Sequence, residues 1–325
     1  MSTAQSRVTR LITILSITAL GAAAGALLMP GVAQAAVPTV TALSIKKGST
    51  LGGTTTLITG KGLLAATAVE FGAGTAASSF IILSDTSIAA TAPPNAAGVT
   101  EVIVTTTVGV TNLTTVTTND FTYLAPITPV VSNGPVTLSA AGGTVLTVAI
   151  TPSLTVTQAA DITAKKITAT VDGVAASKVA YSAPDVLLVT APAGSPTAVG
   201  SFASVSILRD GVVGPADTTG SSYAAVITKL SITTGPTTGV TGATSPTTKP
   251  AITITGAGLT GATAWVFGGT NTATCIAASV AKVDTSWTCQ NVPAGTEGPV
   301  TVSYTPAAGT LGVTSGATFT YSDLG

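Results

Sequence analysis

The chain has 325 residues, twelve basic and twelve acidic, and only 7% are charged, where a globular protein usually has about a quarter. It contains no histidine, which excludes Ser-His-Asp and Cys-His nucleophilic sites and nearly all zinc catalysis. Its few Lys and Arg are scattered, which excludes the clustered basic footprint that nucleic acid requires.

The N-terminus comes first in chain order. Arg7 and Arg10 precede the apolar stretch LITILSITALGAAAGALLM, followed by Pro30 and the AQA triplet at Ala33 to Ala35. A positive n-region, an apolar h-region and a small-x-small site read as a secretory signal peptide over residues 1–35, cut between Ala35 and Ala36. An uncleaved membrane anchor is the competing reading. Without the leader, ten basic residues face twelve acidic ones, a net charge of −2. No second spanning segment and no sorting motif follow, so attachment to a cell is expected to be non-covalent or through partners.

Beyond the leader, apolar residues alternate with Thr and Ser, the period-2 signature of half-buried strands. Thr suits the solvent face of a strand because its branched carbon fits the pleat. One stretch is written twice. GKGLLAATAVEFG, Gly60 to Gly72, matches GAGLTGATAWVFG, Gly256 to Gly268, at eight of thirteen positions. GGTTTLITG precedes the first copy and TKPAITITG the other. Asp85-Thr86-Ser87 answers Asp284-Thr285-Ser286, Pro94 answers Pro293, and both copies close on Phe-Thr-Tyr at Phe121–Tyr123 and Phe319–Tyr321. A weaker copy lies between them: AGGTVLTVAI (Ala141 to Ile150), VDG (Val171 to Gly173), VTAP (Val189 to Pro192) and a hairpin turning at Asp210-Gly211. Its closing strand survives only as SSYAAV, Ser221 to Val226.

Each unit of about ninety residues reads as roughly seven short strands, enough for an independent all-β sandwich. The expected domains are 36–126, 127–226 and 227–325, joined by the short linkers LAPITP (Leu124 to Pro129) and VITKLS (Val226 to Ser231). Within the repeated stretch, Ile58 and Ile254 point inward, the glycines at Gly60, Gly62, Gly256 and Gly258 permit positive φ, and Leu63 or Leu259 plugs the sandwich end. Val69 and Phe71, matched by Trp265 and Phe267, return into the core. Trp287 matches Ile88 and is expected to be buried too; exposed, the two tryptophans would instead suggest a sugar platform.

The pattern Gly-Gly, alternating strand, Gly-x-Gly-Leu, Val-x-Phe-Gly and closing Phe-Thr-Tyr resembles the IPT/TIG family of immunoglobulin-like domains. The first and third copies carry nearly all of it; the second departs at Phe-Gly and at its ending. The resemblance implies three tandem immunoglobulin-like β-sandwiches. It also implies the settings where such domains occur: surface receptors, adhesins, surface fibres, and spacers beside sugar-degrading catalytic domains. It leaves activity open, because sandwiches host many functions.

Cys275 and Cys289, an even pair in an exported chain, read as a disulfide, with two free buried thiols as the alternative. The carboxylates sit singly, mostly in turns, and no calcium loop of the DxDxDG type is present; a lone calcium at a domain junction is the one metal reading left. The pairs Lys46-Lys47 and Lys165-Lys166 read as solvated strand ends, and Asn112-Leu113-Thr114 is a formal glycosylation sequon. No catalysis, no cofactor and no substantial helix are expected. The favoured function is a structural protein of an extracellular matrix, surface layer or filament, its partners being itself or other surface proteins. The alternatives are an adhesin gripping a glycan or protein with sandwich-end loops, and a spacer subunit of a secreted enzyme complex.

Overall fold

The structure is a computed structural model that describes residues 37–111, 118–239, 251–268, 272–279, 281, 284–312 and 317–323. The leader with its Ala35–Ala36 site, the Asn112 sequon and residues 240–250 lie outside the described residues.

The first sandwich contains β1 (Thr39–Leu43), β2 (Lys47–Ser49), β3 (Thr55–Lys61), β4 (Ala66–Phe71), β5 (Ser79–Ser84), β6 (Ser87–Thr91), β7 (Gly98–Thr106) and β8 (Asp120–Leu124). They form two four-stranded sheets, ordered β1-β3-β6-β5 and β2-β8-β7-β4. This is the immunoglobulin arrangement, with the opening strand divided between the sheets and β2 parallel to β8. Strict alternation on β3 sends Thr56, Ile58 and Gly60 inward and their neighbours outward.

The second sandwich contains β9 (Thr128–Val131), β10 (Val136–Ser139), β11 (Val145–Thr151), α1 (Ala159–Ala164), β12 (Ile167–Val171), β13 (Val174–Ala175), β14 (Lys178–Ala183), β15 (Val186–Thr190), β16 (Val205–Arg209), β17 (Val212–Val213) and β18 (Ser221–Ala224). Its sheets run β14-β15-β11-β9 and β13-β12-β16-β17, with β10 and β18 as a parallel pair. The six-residue α1 is the one short helix among the described residues. The third sandwich contains β19 (Val226–Leu230), β20 (Thr234–Gly235), β21 (Ile252–Ala257), β22 (Thr263–Phe267), β23 (Thr272–Ala277), β24 (Ser286–Asn291), β25 (Gly298–Thr305) and β26 (Thr318–Tyr321). Here β22 pairs with β23, so both sheets run together in the order β19-β21-β24-β23-β22-β25-β26-β20.

Three separate cores result, centred on Ile58, Phe71 and Phe121, on Leu146, Val171 and Tyr223, and on Ile254, Trp265 and Phe319. The repeated stretch supplies the same parts to the first and third. Leu63 and Leu259 are fully buried plugs, and Val69, Phe71, Trp265 and Phe267 all lie inside. Each pair of glycines divides its labour. Gly62 and Gly258 take positive φ, 70° and 72°. Gly60 and Gly256 do not, and serve instead to let the chain pass against the carbonyl groups of Thr39 and Val226, where a Cβ would collide.

Three sequence expectations need correction. The two segments read as linkers are mostly strand: Thr128–Val131 is β9 and Val226–Leu230 is β19, leaving residues 125–127 and Ala225 between sandwiches. Composition could not reveal this, because a strand that starts a domain and a Pro-containing linker look alike over six residues. Trp287 stands opposite Ile254 as Ile88 stands opposite Ile58, but it is only partly buried, packing against the core with its ring centroid 5.4 Å from that of Trp265. Lys47 and Lys166 are not merely solvated: both approach Asp210.

The closing strand brings one tyrosine into each core: Tyr123, Tyr223 and Tyr321. The Tyr223 hydroxyl donates to the Pro192 carbonyl at 2.9 Å, and that of Tyr321 to the Pro293 carbonyl at 2.7 Å. These bonds tie the last strand to the loop after β15 or β24. The Tyr123 hydroxyl is buried with no partner among the described residues, and burial pushes its pKa up to about 12. Removing a paired hydroxyl loses a net hydrogen bond, whereas removing an unpaired buried one relieves a desolvation cost. Tyr223→Phe should therefore cost about 1 kcal/mol, while Tyr123→Phe should be neutral or stabilising. Scanning calorimetry of the two variants checks the contrast.

Candidate functional site

The carboxylates are the first place to seek chemistry; many brace turns, while Glu101 and Asp120 stand opposite each other on β7 and β8. Asp85 accepts the backbone N–H groups of Gly62 at 3.3 Å and Leu64 at 3.4 Å, so it braces the turn that carries the Leu63 plug. Asp284 accepts the Thr260 hydroxyl at the matching turn. In the divergent copy this role falls to Asp185. It accepts the N–H groups of Leu154 and Val156, both at 3.1 Å, and the Ser153 hydroxyl. Sequence reading missed Asp185; the signal was an Asp just before the strand leading to VTAP, as Asp85 precedes ATAP. Asp172 accepts the Ser204 N–H, and Asp217 accepts those of Val131 and Thr219. Burial raises the Asp217 pKa, but these donors outweigh it and hold the group below its ordinary value. Among the described residues no group of three or more His, Cys, Asp or Glu could hold a metal ion.

Asp210 differs. It sits at positive φ in the β16–β17 hairpin with Gly211, and its carboxylate meets Lys47 of the first sandwich at 2.9 Å and Lys166 of its own at 3.6 Å. The hydrogen bond from Lys47 is the main cause holding its pKa below the usual carboxylate range, against the opposing effect of burial. A depressed folded-state pKa gives stability that is present above the unfolded value and lost as pH falls through the folded one. Lys47 is 41% exposed, so the bridge contributes only about 0.2–1 kcal/mol. The contact between first and second sandwiches should loosen below about pH 4. Hydrogen exchange in β2 and β17 at pH 3 and pH 6 checks this, with the Asp210→Asn variant losing the difference.

The second and third sandwiches meet through backbone. Val199 N–H donates to the Gly309 carbonyl, Leu311 N–H to Thr197 and Ala225 N–H to Leu311. Gly258 passes so close to Pro196 that a Cβ would lie 2.6 Å from its ring. A cleft of about 560 Å³ lies beside this junction, lined among others by Ala140, Asp172, Gly194, Tyr223 and Asp284. Three of its polar groups are engaged, Asp172 by Ser204, Asp284 by Thr260, and the Tyr223 hydroxyl by Pro192, and Ser195 and Thr285 also line it.

Cys275 and Cys289 form a disulfide between directly opposed residues of β23 and β24. A loop of that span stabilises the folded state by about 3 kcal/mol on the chain-entropy account. Both tryptophans of the chain lie in the same sandwich. Reductant should therefore lower the unfolding midpoint seen by tryptophan fluorescence and leave the tyrosine-reported transitions of the other two unchanged.

The most distinctive surface is the outer face of the β1-β3-β6-β5 sheet. Leu57, Ala89 and Ile81 stand side by side across three strands, with Ile81 and Leu83 exposed by 65% and 58%. The next row is Thr55, Thr91 and Ser79, with the two threonine hydroxyls 2.9 Å apart. From Phe71 to Ser84 the chain carries no charge. Exposed contiguous apolar surface, where large, marks contact sites.

Residues 38–123 match the family model described as the IPT/TIG domain, and the first sandwich is an IPT/TIG domain. No curated protein matches the chain in sequence. Among solved structures, it is similar to the plexin A4 extracellular region, with 13% identity, a TM-score of 0.37, and coverage of 90% of this chain and 25% of that one. It is similar to an SGBP-B from a complex xyloglucan utilization locus in Bacteroides uniformis, with 17% identity, a TM-score of 0.22, and coverage of 68% and 62%. It is also similar to the I9–I11 tandem of titin, with 10% identity, a TM-score of 0.21, and coverage of 88% and 97%. The chain thus spans a quarter of the plexin chain and under two thirds of the SGBP-B.

Proposed function

We propose that this chain is a non-catalytic, secreted or cell-surface structural protein that associates with itself in an extracellular matrix, surface layer or filament. The observation that carries the reading is the outer sheet of the first sandwich, whose four strands carry one charge, Lys61 at the end of β3, and which is Thr- and Ser-rich with an apolar row at Leu57, Ala89 and Ile81. Sheets avoid edge-to-edge association chiefly by charge, bulges and cover, and a near-neutral surface also favours association. Asp85, Asp172, Asp185 and Asp217 brace turns, which supports a non-catalytic role. The Cys275–Cys289 disulfide supports an oxidising compartment. No described helix is long and apolar enough to cross a membrane. The domains of the reading are 36–126, 127–226 and 227–325, following cleavage at Ala35–Ala36.

A glycan-binding adhesin is the second reading. The partly exposed ring of Trp287 beside Trp265, which also meets the Tyr304 ring, is the feature that favours it. Fractionation of native cells with N-terminal sequencing tests the first reading. It expects protein beginning at Ala36 in high-mass extracellular material. Recovery of an intact, intracellular chain would contradict it, and release of the extracellular protein by soluble glycan alone would favour the adhesin.

A further inference from the structure

The strand next to β6 occupies the same place in all three sandwiches, and it is treated differently in each. In the third, β23 is paired on both sides, with β24 and with β22, so it presents no edge. In the second, β14 ends its sheet, but α1 packs against it and against β12, and the strand carries Lys178. A covering helix and an edge lysine are two standard means of blunting an edge. In the first, β5 ends its sheet with neither device. Its sequence is SFIILS, and only the isolated Glu70–Ala76 bridge, before the strand begins, links this edge to the opposite sheet.

We infer that β5 is a self-pairing edge, taking β5 of a second copy of this chain in antiparallel register to make one continuous eight-stranded sheet. The inference rests on the self-associating function proposed above and names the surface that performs it. Self-complementarity argues for a second copy over another partner. A two-fold axis normal to the sheet sets each strand against itself with faces preserved, so any charge on the strand would lie near its own image. SFIILS has no charge to repel. Pairing of residues on the same face puts Ile81 against Ile81 or against Leu83, which joins the two exposed apolar rows. The backbone groups of the open edge supply the hydrogen bonds, as in strand addition generally. The opposite edge of the sheet, β1, is a poorer template. Both edge strands are bulged, β1 between Val40 and Ala42 and β5 near its end between Ile82 and Ser84, but at the β1 edge the charged Lys61 lies beside Thr39, whereas β5 carries no charge.

The test uses the mature chain, residues 36–325, with its disulfide intact. Ile81→Cys and Leu83→Cys variants are treated with a mild oxidant, with Thr41→Cys on β1 as the control. Ile81→Lys is measured by native mass spectrometry across concentration. The expected result is a disulfide-linked dimer from a β5 variant and not from Thr41→Cys, and at least a tenfold weaker dimer for Ile81→Lys. Position 81 is exposed, so the variant keeps its fold, which circular dichroism verifies. Association unchanged by Ile81→Lys, without β5 cross-links, would overturn the edge while leaving self-association standing. A wild-type chain that stays monomeric would overturn both.

Discussion

Gly60→Ala should destabilise the first sandwich by about 3 kcal/mol, at the upper end of what overpacking costs. The residue has ordinary φ, so conformational freedom is not the reason. Gly60 lies opposite Val40 in the β1–β3 pair, and a methyl group there would fall onto the Thr39 carbonyl. Relief requires β1 to move away from β3, opening the sheet at the turn that holds Leu63. Gly256→Ala should do the same to the third sandwich, where Val226 supplies the carbonyl and the Leu259 side chain is also in the way. Gly53→Ala is the control. Gly53 has φ of 82° but open space around its Cβ direction, so it should cost only the left-handed penalty of about 1–2 kcal/mol. Denaturant unfolding of the three variants ranks them.

Trp265→Ala should cost the third sandwich about 3–5 kcal/mol, as removal of a large core aromatic does. Trp265 is 1% exposed and sits between Trp287 and the Tyr304 ring, whose centroids lie 5.4 Å and 5.2 Å away. Its indole N–H has no partner among the described residues, so Trp265→Phe should recover much of the loss: it keeps apolar contact and removes an unpaired donor. Trp287 remains in both variants as the fluorescent reporter. The transition assigned to the first sandwich, whose matching residue is Val69, should not move.

These effects follow from features that were legible in the sequence because they are local. Ile58 and Ile254, the Leu63 and Leu259 plugs and the closing Phe-Thr-Tyr strands are set by alternation and turn chemistry. The same pattern reveals three sandwiches. What escaped depends on contacts between distant segments. Asp185 braces the second copy's turn across about thirty residues, and its one local mark is its place before the VTAP strand, as Asp85 precedes ATAP. Asp210 reads as a hairpin residue and is one, yet its pairing with Lys47 depends on how two sandwiches meet. The open edge of β5 could not be read from SFIILS alone, because an identical run would be harmless under a helix, as at β14, or between two strands, as at β23. The Gly60 position was read for the wrong property: glycine serves close approach as well as positive φ, and one sequence cannot say which.

The central claim is that the mature chain associates with itself. Sedimentation velocity on residues 36–325 over a hundredfold range of concentration tests it most directly. Self-association gives a sedimentation coefficient that rises with concentration as dimers and larger species form. A single species of monomer mass at every concentration would contradict it and turn attention to the rim around Trp287 as a binding surface.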